Sequence, residues 1–356
     1  MFSYYIHLLF IVSLAILAGN MRPYRKIFLL YIFITSLLFI GLRLEIGGDW
    51  GAYLGYYNLF SDNIDEILRL RDVGLLFVTD IGYSLINIVS AYLSGGIALV
   101  NTISALIFLT GLFYFLQGRP YLSLALVISF QYLGYVVAMG YTRQSIAIGV
   151  SLIALKLFEN RKFSASVFVS LLAVLFHKTA IFVTLLILIT YLFIQKSFKV
   201  LFWLFSISTI FFMLFQDQLL VLYHEYIVGD MISYGALYRL SIQAITSLLY
   251  IMLFYTKKRY RDLSRIWLIF AYTSIILLVA MPVIGSTTAD RLSLYLYPLQ
   301  IILYPTLLSN FSKSIRSIVY FVLAFMYVGF LTVFLLKGVE REHWIPYKNY
   351  VLEVFK

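Results

Sequence analysis

Residues 73–94 read VGLLFVTDIGYSLINIVSAYLS, and the topology of the whole chain turns on whether they cross a bilayer. A stretch of this length can span a hydrocarbon core of ~30 Å. Yet Asp80, Asn87 and several small residues lie within it. The chain around it is of membrane type. Of 356 residues, 62% are hydrophobic and 12% charged, whereas a soluble domain is about 25% charged. Apolar runs of about 20 residues recur along the whole length. The chain reads as an all-α polytopic integral membrane protein. It forms one transmembrane domain over 1–356, with no charged or Pro/Gly/Ser-rich linker to divide it.

Apolar runs predict spans near 4–19, 27–43, 97–116, 121–139, 142–158, 163–176, 179–195, 200–215, 237–255, 266–284, 291–309 and 316–336. That makes about twelve transmembrane helices, with 73–94 as a re-entrant or interfacial segment. If 73–94 dips and returns, the loops sort into two sets. Loops 20–26, 117–120, 156–162, 195–199, 256–265 and 310–316 hold 16 of the 27 Lys/Arg and two acids, Glu159 and Asp262. The rest of the chain holds the other 11 basic residues and 14 acids. Excess Lys/Arg marks the cytoplasmic side. If 73–94 spans, several loops change sides and the asymmetry worsens, so the re-entrant reading is adopted. Basic residues follow the first apolar segment instead of preceding it, the reverse of a secretory signal. That segment reads as an uncleaved helix starting outside.

The formal net charge of +11 is explained by cytoplasmic loops, and no nucleic-acid partner is expected. With no Cys, disulfides, thiolate catalysis and Cys-ligated metals are excluded. Four scattered histidines without an i, i+4 pair predict no metal site. No GxxxxGK, GxGxxG, GxSxG or HExxH motif occurs, so neither ATP-driven transport nor zinc proteolysis gains support. No cofactor is expected.

On this topology the unusual polar residues gather on the outer face. Ionisable groups in or beside spans cost ~2.5–3.5 kcal/mol each to insert, so they default to functional candidates. Arg43 and Glu45 close the second span, as an interfacial anchor or as an arginine aimed at phosphate. In EIGGDWGAYLGYYNLF (45–60), Asp49 stands among Gly47, Gly48 and Gly51, which permit close approach to a ligand. Trp50, Tyr53, Tyr56 and Tyr57 suit either the headgroup layer or sugar rings. Asp80 calls for a cationic partner or a raised pKa. Arg143 and Gln144 open a helix, where a cation opposes the dipole unless an anion binds there too. His177, between long apolar runs, suits proton transfer near neutral pH. Lys178 beside it is a phosphate ligand or an interfacial marker. Asp290 and Arg291 begin a late helix. Two outward arginines, 143 and 291, beside an acid and a histidine suit a substrate with two phosphates.

The ordered pieces RLEIGGDWGAYLGYYNLF, TDIGYSLIN, YTRQSIAIGVSLIAL, LLAVLFHKTAIF, DRLSLYLYPLQIILYP and HWIPYKNY resemble the EpsG-type family of polysaccharide polymerases, the Wzy-like enzymes of O-antigen and exopolysaccharide assembly. Gly48 and Trp50 stand where Thr and Tyr are usual, Asp80 where Glu is, and Thr179 where Ser is. The resemblance implies a glycosyltransferase of the bacterial inner membrane with its active face outside. It would move a growing glycan from undecaprenyl pyrophosphate to a lipid-linked repeat unit. A GT-C-like architecture is compatible with it. Partners would be the undecaprenyl-pyrophosphate-linked oligosaccharide, membrane lipid and, where chain length is controlled, a regulator protein. Arg143 and Arg291, with Arg43 and Lys178, would hold pyrophosphate. His177 or Asp49 would take the acceptor proton, with the lean to His177 as base and Asp49 orienting it or the acceptor. Tyr53, Tyr57 and Trp344 would contact sugar, and Gln144, Asp80, Asp290 and Tyr347 complete the expected site. The alternatives are a flippase of the same lipid-linked glycan, with polar residues through the bundle and broken helices, and a glycan ligase. Acyl transfer is disfavoured for want of a visible His–Asp or Asn–His constellation.

Overall fold

The computed structural model describes residues 1–69, 71, 73–195, 202, 209 and 233–354. In chain order the principal helices are α1 (Phe2–Asn20), α2 (Arg25–Gly41), α3 (Trp50–Asp62), α4 (Ile81–Tyr92) and α5 (Gly96–Leu116). They continue as α6 (Leu122–Gly140), α7 (Thr142–Glu159), α8 (Phe163–Val174), α9 (Ile181–Gln195) and α10 (Ala236–Thr256). The last four are α11 (Ile266–Ile284), α12 (Ser286–Leu296), α13 (Pro298–Leu308) and α14 (Lys313–Lys337).

This is an α-helical membrane protein. Large apolar side chains face outward, as with Phe325 at 81% exposure, while Asn87, Asn101 and Gln243 are buried. Such inversion suits a solvent of lipid tails. Six helices among the described residues, α1, α5, α6, α10, α11 and α14, are long and apolar enough to cross a membrane. The expected twelve full spans are not reached, for physical reasons. The 291–309 run is divided at Tyr297, where Pro298 opens a new helix. α8 has only 12 residues. The predicted span 200–215 lies outside the described residues.

Residues 73–94 do not cross the bundle. α4 has 12 residues, a length of ~18 Å. Its leading residue Asp80 meets Arg143, and the Gly82 amide donates to the Leu175 carbonyl at 2.8 Å. Beyond it α5 starts at the same end of the bundle, where Asn101 accepts from Arg43 at 2.8 Å. The apolar side of α4, Leu85 and Val89, is exposed, while Tyr83, Ser84, Asn87 and Ser90 turn inward.

The described loops fall at two ends, as charge counting predicts. At the basic end Lys156 Nζ donates to the Gln117 carbonyl at 2.8 Å. There too, Asn310 Nδ2 donates to the Tyr260 hydroxyl at 2.7 Å. At the other end the tail folds back across the first hairpin, with Arg43 bridging Asn349 and the Gly47 amide donating to the His343 carbonyl at 2.9 Å. The basic loop 195–199 lies almost wholly outside the described residues. The core crossing is α5 on α7. A methyl group on Gly111 would overlap the Gly149 carbonyl, so the absence of side chains lets the two backbones touch.

Candidate functional site

Five chain segments meet at the end of the bundle away from the basic loops. Thr79 and Asp80 lead into α4, Arg143 and Gln144 open α7, and His177 sits in the turn between α8 and α9. Arg291 lies on α12, and Asp49 stands at the start of α3. Arg143 Nη1 donates to Asp80 Oδ2 and to Thr79 Oγ1, both at 3.0 Å. His177 Nδ1 lies 3.7 Å from the same carboxylate oxygen. Asp80 is therefore shared between a guanidinium and an imidazole. It also supplies the anion that a cation at the start of α7 calls for, which the sequence assigned to a ligand.

The arrangement is under-satisfied. Arg143 Nε and His177 Nε2 are buried with no hydrogen-bond partner among the described residues. Buried polar atoms are paired in the great majority of cases, so each exception calls for an explanation. With Asp80 facing Nδ1, the free nitrogen Nε2 is the one to accept a proton. Burial pushes the His177 imidazole below its usual range, while Asp80 opposes that effect. The neutral, proton-accepting form is thereby favoured.

Asp49 belongs to the same electrostatic neighbourhood. Burial raises its carboxyl above the usual range, and Arg291 and Arg143 pull it back down. Gln144 Nε2 donates to the Arg291 carbonyl at 2.8 Å, fixing α12 against α7. Thr179 and Tyr295 hydroxyls bond at 3.1 Å and tie the His177 turn to α12. Arg143 also lies over the Tyr56 ring, 5.7 Å from its centre. Tyr53 is buried edge-on against Tyr83, Tyr57 is half-buried, and Lys178 is exposed beside His177.

Several expected roles change with placement. Arg43 is 1% exposed and donates to the Ile40 carbonyl, Asn101 and Thr142. It staples α2 to α5 and α7 beneath the site and does not face outward as an anchor or phosphate ligand. Trp344 is 1% exposed, with its indole N–H on the Tyr135 carbonyl at 2.8 Å and its ring against Gly140. Tyr347 stacks on Phe39 and donates to the Phe39 carbonyl at 2.7 Å. Neither ring is presented to sugar. The glycines by Asp49 serve packing: Gly47, at φ 109°, lies where any side chain would strike the Met139 carbonyl, and Gly48 faces Glu340. Asp290 is turned away from His177. It binds Arg239 Nε at 2.7 Å, Arg239 Nη2 at 2.6 Å and Ser233 Oγ at 2.8 Å.

Arg239 was missed in the sequence. Its signal was available, since "GALYRLSIQ" places an arginine in the first turn of a span, as "GYTRQSIAI" does for Arg143. The Arg239–Asp290 pair stands at the edge of a cavity of about 710 Å³. One wall is apolar, with Ile242, Leu294, Phe330, Val333 and Phe334. Its floor carries Gln131, Gln243, Gln300 and Tyr327, bonded to one another or to neighbouring groups. Tyr141, one residue past α6 and directly before α7, also lines this cavity. Among the described residues no group of three or more His, Cys, Asp or Glu could hold a metal ion.

A family model, described as the EpsG family, matches residues 26–349. The chain belongs to the EpsG family. No curated protein and no solved structure matches it. Membership indicates a polysaccharide-polymerase-like function for this membrane-embedded chain. The match takes in the whole cluster of this EpsG protein, from Asp49 to Arg291.

Proposed function

We propose that this EpsG protein is a glycosyltransferase that polymerises polysaccharide at the outer face of the bacterial inner membrane, moving a growing glycan from undecaprenyl pyrophosphate to a lipid-linked repeat unit. The observation that carries the reading is the Asp80 carboxylate shared by Arg143 and His177, with Asp49 and Arg291 beside it. On this reading the bundle has a GT-C-like arrangement, and a chain-length regulator is a natural partner.

The acceptor hydroxyl gives its proton to His177 Nε2 as its oxygen attacks the anomeric carbon. The bond from that carbon to the lipid pyrophosphate breaks, and the electron pair leaves with the phosphate. Arg143 and Arg291 stabilise the charge that grows there. Asp80 orients His177, a role expected from the sequence for Asp49. Asp49 then directs the acceptor, with Tyr53, Tyr56 and Tyr57 near the sugar. Lys178, exposed beside the turn, is a further contact for phosphate. The cavity edged by Arg239 and Asp290 takes the prenyl chain along its apolar wall. Asp290 and Gln144 act by holding Arg239 and Arg291 in place.

The test is a deletion strain complemented with Arg143→Ala, matched for expression by blot. Loss of long chains with single lipid-linked repeats accumulating is expected. Normal long chains would end the pyrophosphate assignment. Full-length chains stranded on the carrier would identify a ligase.

A flippase is favoured by one observation: the chain of Gln131, Tyr297, Gln243, Gln300 and Tyr327 deep in the bundle, beside the break at Pro298. These groups are neutral and largely bonded to one another, which suits a fixed floor. Purified protein that consumes lipid-linked repeats in detergent, where there is no second leaflet, excludes flipping as the sole activity. The fold also supplies the His–Asp pair whose apparent absence disfavoured acyl transfer. Family membership outweighs that alternative.

A further inference from the structure

The basic end of the bundle holds a cavity that the proposed reaction does not use. It measures about 320 Å³ and lies between the end of α1, the start of α2 and the turn before α6. Arg25 and Arg119 line it, with Tyr121 and Ser123. Arg25 is exposed. Arg119 binds Glu159, the carboxylate that Lys156 also approaches at 3.9 Å.

A third guanidinium joins from α14. Arg316 lies 5.8 Å above the Tyr121 ring and donates Nη2 to the Phe311 carbonyl at 2.8 Å. Its Nε is buried with no hydrogen-bond partner among the described residues. The hydroxyl of Tyr320, one turn further along α14, faces Ser123, which lines the cavity. A guanidinium donor without an acceptor among the described residues, Arg316 Nε, thus stands beside a basic cavity whose nearest carboxylate is already engaged. The mouth borders lipid, because Ile16 lines the cavity and is 46% exposed.

We propose that this cavity binds the headgroup phosphate of an anionic phospholipid from the inner leaflet. Arginine holds phosphate oxygens through paired N–H donors. Basic pockets between helices on the cytoplasmic side suit such headgroups. The acyl chains would run along the exposed side of α1 past Ile16. Ordinary positive-inside anchoring needs neither the concavity nor the unpaired guanidinium donor. The site is independent of the outer-end chemistry, so either assignment can fail alone.

The experiment uses the purified full chain and native mass spectrometry. Phosphatidylglycerol and phosphatidylcholine of matched acyl chains are titrated separately, with inorganic phosphate as a third probe. Phosphatidylglycerol should bind in preference to phosphatidylcholine. Arg25→Gln with Arg316→Gln should weaken it roughly 30-fold, about fivefold per arginine. The control is Arg261→Gln with Lys313→Gln, which removes the same charge from exposed positions on the same face and should change binding less than twofold. Melting temperature reports whether each variant is folded, and a variant that melts early is replaced by single substitutions. Equal binding of the two lipids, or equal loss in the control, overturns the proposal. Saturation by inorganic phosphate that displaces phosphatidylglycerol also overturns it, in favour of a soluble anion.

Discussion

The two ends of the bundle each carry a carboxylate held between cations, Glu159 half-buried and Asp80 buried, and they use it differently. At the basic end Glu159 is closed. Arg119 and Lys156 meet one oxygen, and the Trp267 indole N–H meets the other at 2.8 Å. At the other end Asp80 is asked to serve Arg143 and His177 together, and both keep a buried nitrogen without a hydrogen-bond partner among the described residues. A satisfied network is a lock, whereas an unsatisfied one keeps free energy available for an incoming group. The same residue types therefore mean structure at one end and chemistry at the other.

The strongest way to break this contrast is Arg143→Ala. Polymer formation in membranes should fall about 10³-fold, the scale of losing one preorganised donor to a developing anion, with protein level unchanged. His177→Gln should come next, at about 10²-fold in the rate of repeat-unit consumption, as for loss of a general base. Wild-type turnover would place the proton elsewhere.

Acidity sharpens the same point. His177 titrates below its ordinary value of 6.5 and Asp49 above its ordinary value of 3.8. The base form of His177 therefore persists at pH 6.5. Rates should hold down to that pH and fall only as both groups take up protons below it. A half-maximal rate above pH 6.5 would contradict the burial argument.

Glu159→Gln should do the opposite of the outer-end changes. It leaves Arg119 with no carboxylate and should cost about 3 kcal/mol of stability, read as an earlier melting transition. The activity of the molecules that remain folded should stay within about twofold. Smallest of all, Trp344→Phe loses only the bond to the Tyr135 carbonyl, about 1 kcal/mol, and should leave the rate alone. A large rate loss with normal melting would return Trp344 to the sugar site.

Much of the outer-end site was legible because charges in apolar sequence are conspicuous. Arg143, His177, Asp80, Asp49 and Arg291 stand out one by one, and charge counting puts them on one face. Their partnerships were not legible. Asp80 and Asp49 are both acids near glycine, and only the packing of α4 against the His177 turn, through Gly82 and Leu175, selects Asp80. Trp344 and Tyr347 show the converse: aromatic rings near a terminus look available until the tail folds over the first hairpin.

The sequence by itself determined the membrane class and the failure of 73–94 to cross, and it set the strongly basic loops apart from the rest. Those properties follow from transfer free energies of side chains and from where basic residues are retained, and both sum along the chain without reference to contacts. Tertiary structure alone decided which acid meets which base, that Arg43 is a staple, and that Arg239 and Asp290 guard a cavity. Those outcomes depend on distances of a few ångströms between segments up to about 300 residues apart, as from Glu45 to Lys348, and only packed backbones such as Gly111 on Gly149 set such distances.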